Sequence, residues 1–322
     1  MTRAALAFSR WTAALAAAAL ALSAQASAAA PATGEARGRA FWEALARDCA
    51  VPPGETTFGL AREAAGFVGS PDAFWRDEVP YGVFVACAYR RRALAPAERR
   101  ALVAELSAGL HEGRAEGAPD GVLRRSYSAL LLSILAAVEG VDPALDGPAY
   151  RRLLDGALAF LREERDLRGF DPRVGWVHAA AHGADLLKFL ARDPRFERGD
   201  VARLLDAALR RMTAAGTPVF TAGEPERLAM ALEVALRRAD LDLTALDAWL
   251  ARFPALEKEA FAPPLSPEKL AAAENARALL RALFVELSLP RRAPPGSAAP
   301  PASPGTMAAR ERVLGALQAI RR

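Results

Sequence analysis

Two of the three histidines in the chain, His178 and His182, stand four residues apart, and Asp185 follows three residues later. On a helix, positions i, i+4 and i+7 share one face, so this spacing brings two imidazoles and a carboxylate together. Asp185 is also the only charged residue between Arg173 and Lys188, in a chain that is 25% charged. Read as a helix from Val174 to Leu190, the segment places Trp176, Ala180, Gly183, Leu187 and Leu190 on the opposite side, as a packing stripe. Gly183 in a helix interior costs about 1 kcal/mol relative to alanine, which a neighbouring helix pressed against the backbone would explain.

Several chemistries are open to such a face. Two histidines at this spacing can share one divalent metal such as zinc, with a carboxylate from elsewhere completing the site. No glutamate follows the first histidine, so the general base of a zincin is missing. Asp185 then reads as a group that orients a histidine tautomer. Arg125 and Ser126 lie on a preceding helix that could face the same region. A serine beside histidine and aspartate suggests acyl transfer, yet no strand–turn–helix elbow surrounds Ser126. A third reading is a satisfied polar network, in which Arg125 or Arg168 joins the cluster and locks helical hairpins together. The fourth is a groove for a peptide or protein ligand. Arg168-Gly169-Phe170 is expected to make the turn into the helix, with glycine supplying positive φ and phenylalanine fastening the turn to the core.

The elements that must position these residues are helical. Alanine and leucine dominate the hydrophobic content of 52%, isoleucine occurs only at positions 134 and 320, and aromatic residues make up 7%. Start signals recur along the chain. Ser70-Pro71-Asp72, Ala95-Pro96, Asp120, Asp146-Gly147-Pro148, Asp171-Pro172, Glu224-Pro225 and Ser266-Pro267 each precede a run with helical periodicity. In pairs, the helices begin near residues 72, 119, 173 and 224, a spacing close to that of stacked helical hairpins. The expected fold is all-α with no sheet, an array of antiparallel hairpins forming a HEAT- or armadillo-like right-handed superhelix.

Five segments resemble a bacterial family catalogued as domain of unknown function 2785. They are residues 70–81 (SPDAFWRDEVPY), 124–132 (RRSYSALLL), 166–187 (DLRGFDPRVGWVHAAAHGADLL), 224–229 (EPERLA) and 275–284 (NARALLRALF). The resemblance spans about residues 36–289 and centres on RGF, GW and HxxxHGAD. It implies a helical fold and no assigned activity. Residue by residue it singles out Arg125, Ser126, Arg168, Gly169, Trp176, His178, His182 and Asp185. The sequence departs from the expected pattern at Asp171-Pro172-Arg173, where a looser polar turn would be usual.

The ends differ from the middle. Arg3 and Arg10, the apolar run Trp11–Leu22 and the small-residue sites at Ala24-Gln25-Ala26 and Ala26-Ser27-Ala28 make residues 1–28 a signal peptide, with a spacer at 29–36. The helical-repeat domain is expected over 37–289, a Pro/Ala/Ser-rich linker over 290–306 and a short basic amphipathic helix over 307–322. The protein is therefore expected to be exported, periplasmic or secreted, with no stable membrane span after cleavage and weak membrane-surface contact available to the C-terminal helix. In an oxidising compartment Cys49 and Cys87 can pair. Of the formal charge of +4, two charges belong to Arg3 and Arg10, and residues 290–322 hold six arginines against Glu311, which leaves the body at −3. That balance excludes a nucleic-acid partner despite a pI near 9.4. The expected function is an exported, non-enzymatic binding or scaffold domain without a cofactor, whose groove takes an unknown peptide or protein. The alternative is a metal-dependent hydrolase centred on His178 and His182.

Overall fold

Helix α5 (Gly121–Glu139) is buried along almost its whole length, from Val122 to Glu139. A helix that is apolar all round has no solvent face to offer, so the chain must wrap it. By length and composition α5 could also cross a membrane, but here it is the central helix of the core. The computed structural model describes residues 37–112, 120–290 and 301–320. The expected signal peptide and spacer, and part of the expected linker, lie outside the described residues.

Around α5 the helices fall into two rows. One begins with a continuous helical rod made of α3 (Val79–Val83) and the π-helical turns that flank it, Phe74–Glu78 and Phe84–Arg90. This rod packs on α5, α5 on α7 (Ala179–Leu190), α7 on α9 (Glu224–Leu236) and α9 on α12 (Pro267–Ser288). The second row holds α4 (Pro96–Gly109) behind α5, α6 (Gly147–Glu163) behind α7 and α8 (Arg198–Thr213) behind α9 and α12, and α10 (Leu243–Leu250) continues it beyond α8. Helices α1 (Arg39–Asp48) and α2 (Thr57–Gly66) close the N-terminal end, and α11 (Phe253–Ala260) supports α12. The fold is all-α in its main architecture.

Local signals explain most of the helix starts. Asp146 accepts a hydrogen bond from the Ala149 N–H at 2.7 Å, and Ser266 one from Lys269. Near residue 70 the cap is Asp72 rather than Ser70. Its Oδ1 takes the Phe74 N–H at 2.8 Å, and Ser70 instead accepts from the Asp72 N–H. Cys49 and Cys87 form a disulfide with Cα atoms 5.1 Å apart, which ties the end of α1 to the second π-helical turn.

Two expectations need correction. First, a sheet exists. Phe170–Asp171 (β1) and Gly175–Trp176 (β2) form a small antiparallel hairpin, with Phe170 opposite Trp176 and Asp171 opposite Gly175. Second, Asp171-Pro172 opens this hairpin turn and not the histidine helix, which starts at Ala179. Asp171 does bond the N–H groups of Arg173 and Val174, at 2.9 and 3.2 Å, as a helix cap would. An aspartate turn and an N-cap look alike in sequence, and the next few residues decide which of them forms. Gly175 takes φ +79°, and the carbonyls a helix would satisfy internally are claimed from outside. Arg76 Nη2 donates to the Val174 carbonyl at 2.6 Å, and the Tyr127 hydroxyl to that of Trp176 at 3.0 Å.

At the other end, α13 (Pro304–Ala319) begins inside the stretch expected to be linker, capped by Ser303. Its Ala309 and Val313 are buried, Leu317 and Ile320 pack on the core, and Arg312 pairs with Asp247 on α10 at 2.7 Å. The apolar face that a membrane surface would take is therefore covered by α10 and α12.

Candidate functional site

The hairpin delivers the chain to α7 through His178, which adopts a left-handed conformation with φ 50° and ψ 30°. Such a backbone costs a non-glycine residue on the order of 1–3 kcal/mol and persists only when its surroundings hold it. Here they do. The His178 N–H bonds to the carbonyls of Arg168 and Gly169, its own carbonyl accepts from the His182 N–H at 2.9 Å, and Nε2 donates to the Ala222 carbonyl at 2.9 Å. Trp176 stacks on the His178 ring with centroids 4.3 Å apart. Trp176 is 43% exposed and Phe170 59%, so neither belongs to the core, where the helical pattern had placed Trp176 and the turn was expected to fasten Phe170.

His178 thus lies outside the helix, one residue before it, yet its ring still meets that of His182, edge to face at 5.8 Å. His182 is on the first turn of α7 and is only 8% exposed. Its tautomer follows from proton counting. Ser126 carries a single hydroxyl proton, which it donates to the Val177 carbonyl, a group that can only accept. The 2.8 Å contact between Ser126 Oγ and His182 Nδ1 must then be an Nδ1–H donated to the serine. Burial, with His178 alongside, pushes the His182 pKa down to about 3. The ring is neutral at pH 7, and Nε2 keeps a lone pair with no hydrogen-bond partner among the described residues.

This arrangement bears on each of the candidate chemistries. A serine nucleophile must give its proton to histidine, and Ser126 gives it to a backbone carbonyl instead, so it is not activated. For a metal, His178 has committed Nε2 to Ala222, and among the described residues no three His, Cys, Asp or Glu side chains come together to hold one. Asp185 is occupied as well. It pairs with Lys188 at 2.6 Å and with Arg227 from α9.

The arginines do not join the histidines. Arg125 makes a two-pronged pair with Glu164, at 2.6 and 3.0 Å, and donates to the Glu112 carbonyl. Arg168 pairs with Asp166 and Asp171, each at 2.6 Å. The polar side chains fall instead into four clusters: the histidines with Ser126, Asp185 with Lys188 and Arg227, Arg125 with Glu164, and Arg168 with Asp166 and Asp171. Gly169 serves close approach rather than positive φ, since a Cβ there would come within 2.5 Å of Ala222 Cβ and 2.7 Å of Glu224 Oε1. Gly183 does what its position implies, for a Cβ on it would meet the Phe160 ring of α6 at 3.2 Å.

His182, Asp185, Lys188 and Phe189 form one side of a groove of about 500 Å³. Its floor is one face of α5, Leu130, Ser133, Ile134 and Ala137, at helical spacing. The far wall is the rod, with Asp77, Tyr81, Val85, Tyr89 and Arg90, and Arg227 of α9 joins the lining beside Asp185. Burial raises the pKa of Asp77, while the Tyr127 hydroxyl and Arg76 oppose that shift. Sequence reasoning did not pick out Asp77, Tyr81, Tyr89, Arg90 or Arg227. Asp77, Tyr81 and Arg227 do lie in segments that carry the family resemblance, the one signal that pointed at them.

Comparison with known proteins agrees on the middle of the chain. No curated protein and no solved structure matches it. Residues 110–285, more than half of the chain, match the model of a family described as Protein of unknown function (DUF2785). That range includes α5, the hairpin, α7 and α9, and leaves the rod with its SPDAFWRDEVPY segment outside. The chain, with the HxxxHGAD segment that shapes one wall of its groove, belongs to the DUF2785 family.

Proposed function

We propose that this protein is a non-enzymatic binding domain that holds an extended peptide or protein segment in the groove between the rod and α7. The observation that carries this reading is His182 Nε2, a neutral acceptor without a partner among the described residues, on the wall of a groove where Asp185, Lys188 and Arg227 are already paired. An acceptor that faces a cleft and that no protein donor engages is suited to a ligand's N–H or O–H. The floor and walls supply apolar and aromatic contact through Leu130, Ile134, Phe189, Tyr81 and Tyr89. Among the described residues no side chain in the groove is arranged as an activated nucleophile, which favours binding over catalysis.

The same reading takes the two rows of helices as a HEAT- or armadillo-like superhelix, with the rod, α5, α7, α9 and α12 on its ligand-facing side. It also takes the protein as exported, on the strength of Arg3, Arg10 and the apolar run after them. A Cys49–Cys87 disulfide fits such a destination.

Selection of a random peptide library on the purified protein tests the proposal. Enriched peptides should bind with micromolar affinity and lose at least tenfold on Ala137→Trp, which fills the floor of the groove. Failure to enrich any sequence, or binding indifferent to Ala137→Trp, would overturn it.

A further inference from the structure

We infer that the groove reads the free carboxy-terminal end of a peptide, with the last amide N–H on His182 Nε2 and the terminal carboxylate at Arg227 and Arg90. This rests on the groove being the ligand site and goes further in naming which part of a chain it takes. The charge inventory is the argument. Asp185 is a single carboxylate shared by two cations, Lys188 and Arg227. Arg227 remains 45% exposed beyond that contact. Arg90, on the opposite wall, has no ion pair among the described residues, in a protein whose arginines are mostly paired. Asp77 is the other acid of the groove, and the buried Arg76 beside it offsets its charge. The groove therefore holds an excess of positive charge near an apolar floor.

An anion alone would satisfy the arginines and leave His182 unused. A neutral imidazole nitrogen that can only accept wants an N–H or O–H on the same ligand. A planar carboxylate suits guanidinium, whose fork of donors matches its two oxygens. A peptide terminus carries an amide N–H and a carboxylate on adjacent atoms, together with a side chain for Leu130 and Ile134. The rest of the peptide would then run out past Tyr81 and Tyr89.

Titration calorimetry with acetyl-Ala-Leu-Leu as the free acid, and with the same peptide as its carboxamide, tests the inference. The acid should bind at least tenfold more tightly than the carboxamide. That preference should vanish in the Arg90→Gln/Arg227→Gln double variant, checked for folding by circular dichroism. Replacing the last amide by an ester, which removes the N–H and keeps the carboxylate, should weaken binding at least fivefold. Equal binding of acid and carboxamide overturns the inference. If Ala137→Trp still abolishes both, the groove itself survives as the ligand site. Decanoate binding as tightly as the peptide acid would also overturn it, since a fatty acid offers His182 no donor. Absence of binding by every probe overturns it too, and the library selection then decides separately whether the groove binds peptides at all.

Discussion

Two clusters of charge flank the histidines, and they are built on opposite principles. Arg125 and Glu164 are both buried, and every strong direction of the pair is used. The guanidinium takes both carboxylate oxygens and the Glu112 carbonyl, and Glu164 Oε1 also accepts the N–H groups of Arg165 and Asp166. This pair closes the end of α6 onto α5 and leaves nothing for a ligand. The Asp185 cluster contains the same kinds of group but has a surplus of cations and opens on a groove. The difference is one of saturation. A closed set of partners marks architecture, and an unbalanced set beside an unused acceptor marks a place where something else is meant to bind.

Breaking one partner in each cluster gives the largest contrast. Glu164→Gln strands a buried guanidinium and should lower the unfolding free energy by about 3–5 kcal/mol in urea titrations. Arg227→Gln removes one half-exposed partner and should cost less than about 1 kcal/mol in the same assay. Equal costs would end the distinction between the two clusters.

The joint between them gives the next effect. Gly169→Ala drives a methyl group into Ala222 and Glu224, the turn whose carbonyl holds His178. A loss of about 1–3 kcal/mol is expected. The His178 ring resonances in an NMR spectrum should shift, while those of His182, held by Ser126, should stay in place. A shift confined to His182 would contradict this division of labour.

The last effect is on pH. His182 is neutral when folded, with a pKa near 3, while in the unfolded chain it titrates at the ordinary histidine value of 6.5. Below that value the unfolded state takes up a proton that the folded state refuses. Its contribution to stability is thus complete above pH 6.5 and is lost progressively towards pH 3. Between pH 7 and pH 5 the loss should be about 1–2 kcal/mol, and His182→Gln should lack that part of the slope. Parallel profiles for the two proteins would show that His182 is not held neutral.

Much of this was legible in the sequence, and the limits have physical causes. The helix starts at Asp146 and Ser266 could be read because a cap is a local contact between residues three apart. Gly183 could be read because only a crowded neighbour justifies a glycine in mid-helix. The pairing of His178 with His182 was expected for a reason that proved incomplete. Periodicity placed both in one helix, whereas His178 reaches its partner from a left-handed turn. Asp171 misled because the turn it makes is common to caps and hairpins, and the deciding donors, Arg76 and Tyr127, lie on other helices. Arg90 and Arg227 were missed for the same reason. A helical wheel tells which residues share a face and is silent about which distant helix that face will meet.

The Cys49–Cys87 bond bears on how the groove can move. It fastens α1 to the turn that carries Val85, Tyr89 and Arg90, so the rod is braced from behind by a covalent strut. The opposite wall, α7 and α9, is held by packing, by hydrogen bonds such as Ser126–His182 and Tyr150–Leu190, and by the Asp185 ion pairs, with no covalent link among the described residues. The cleft therefore works like a vice with one fixed jaw and one sliding jaw. Widening to admit a bulkier guest falls on the α9 side, and it loosens the grip of Arg227 on Asp185 as it does so.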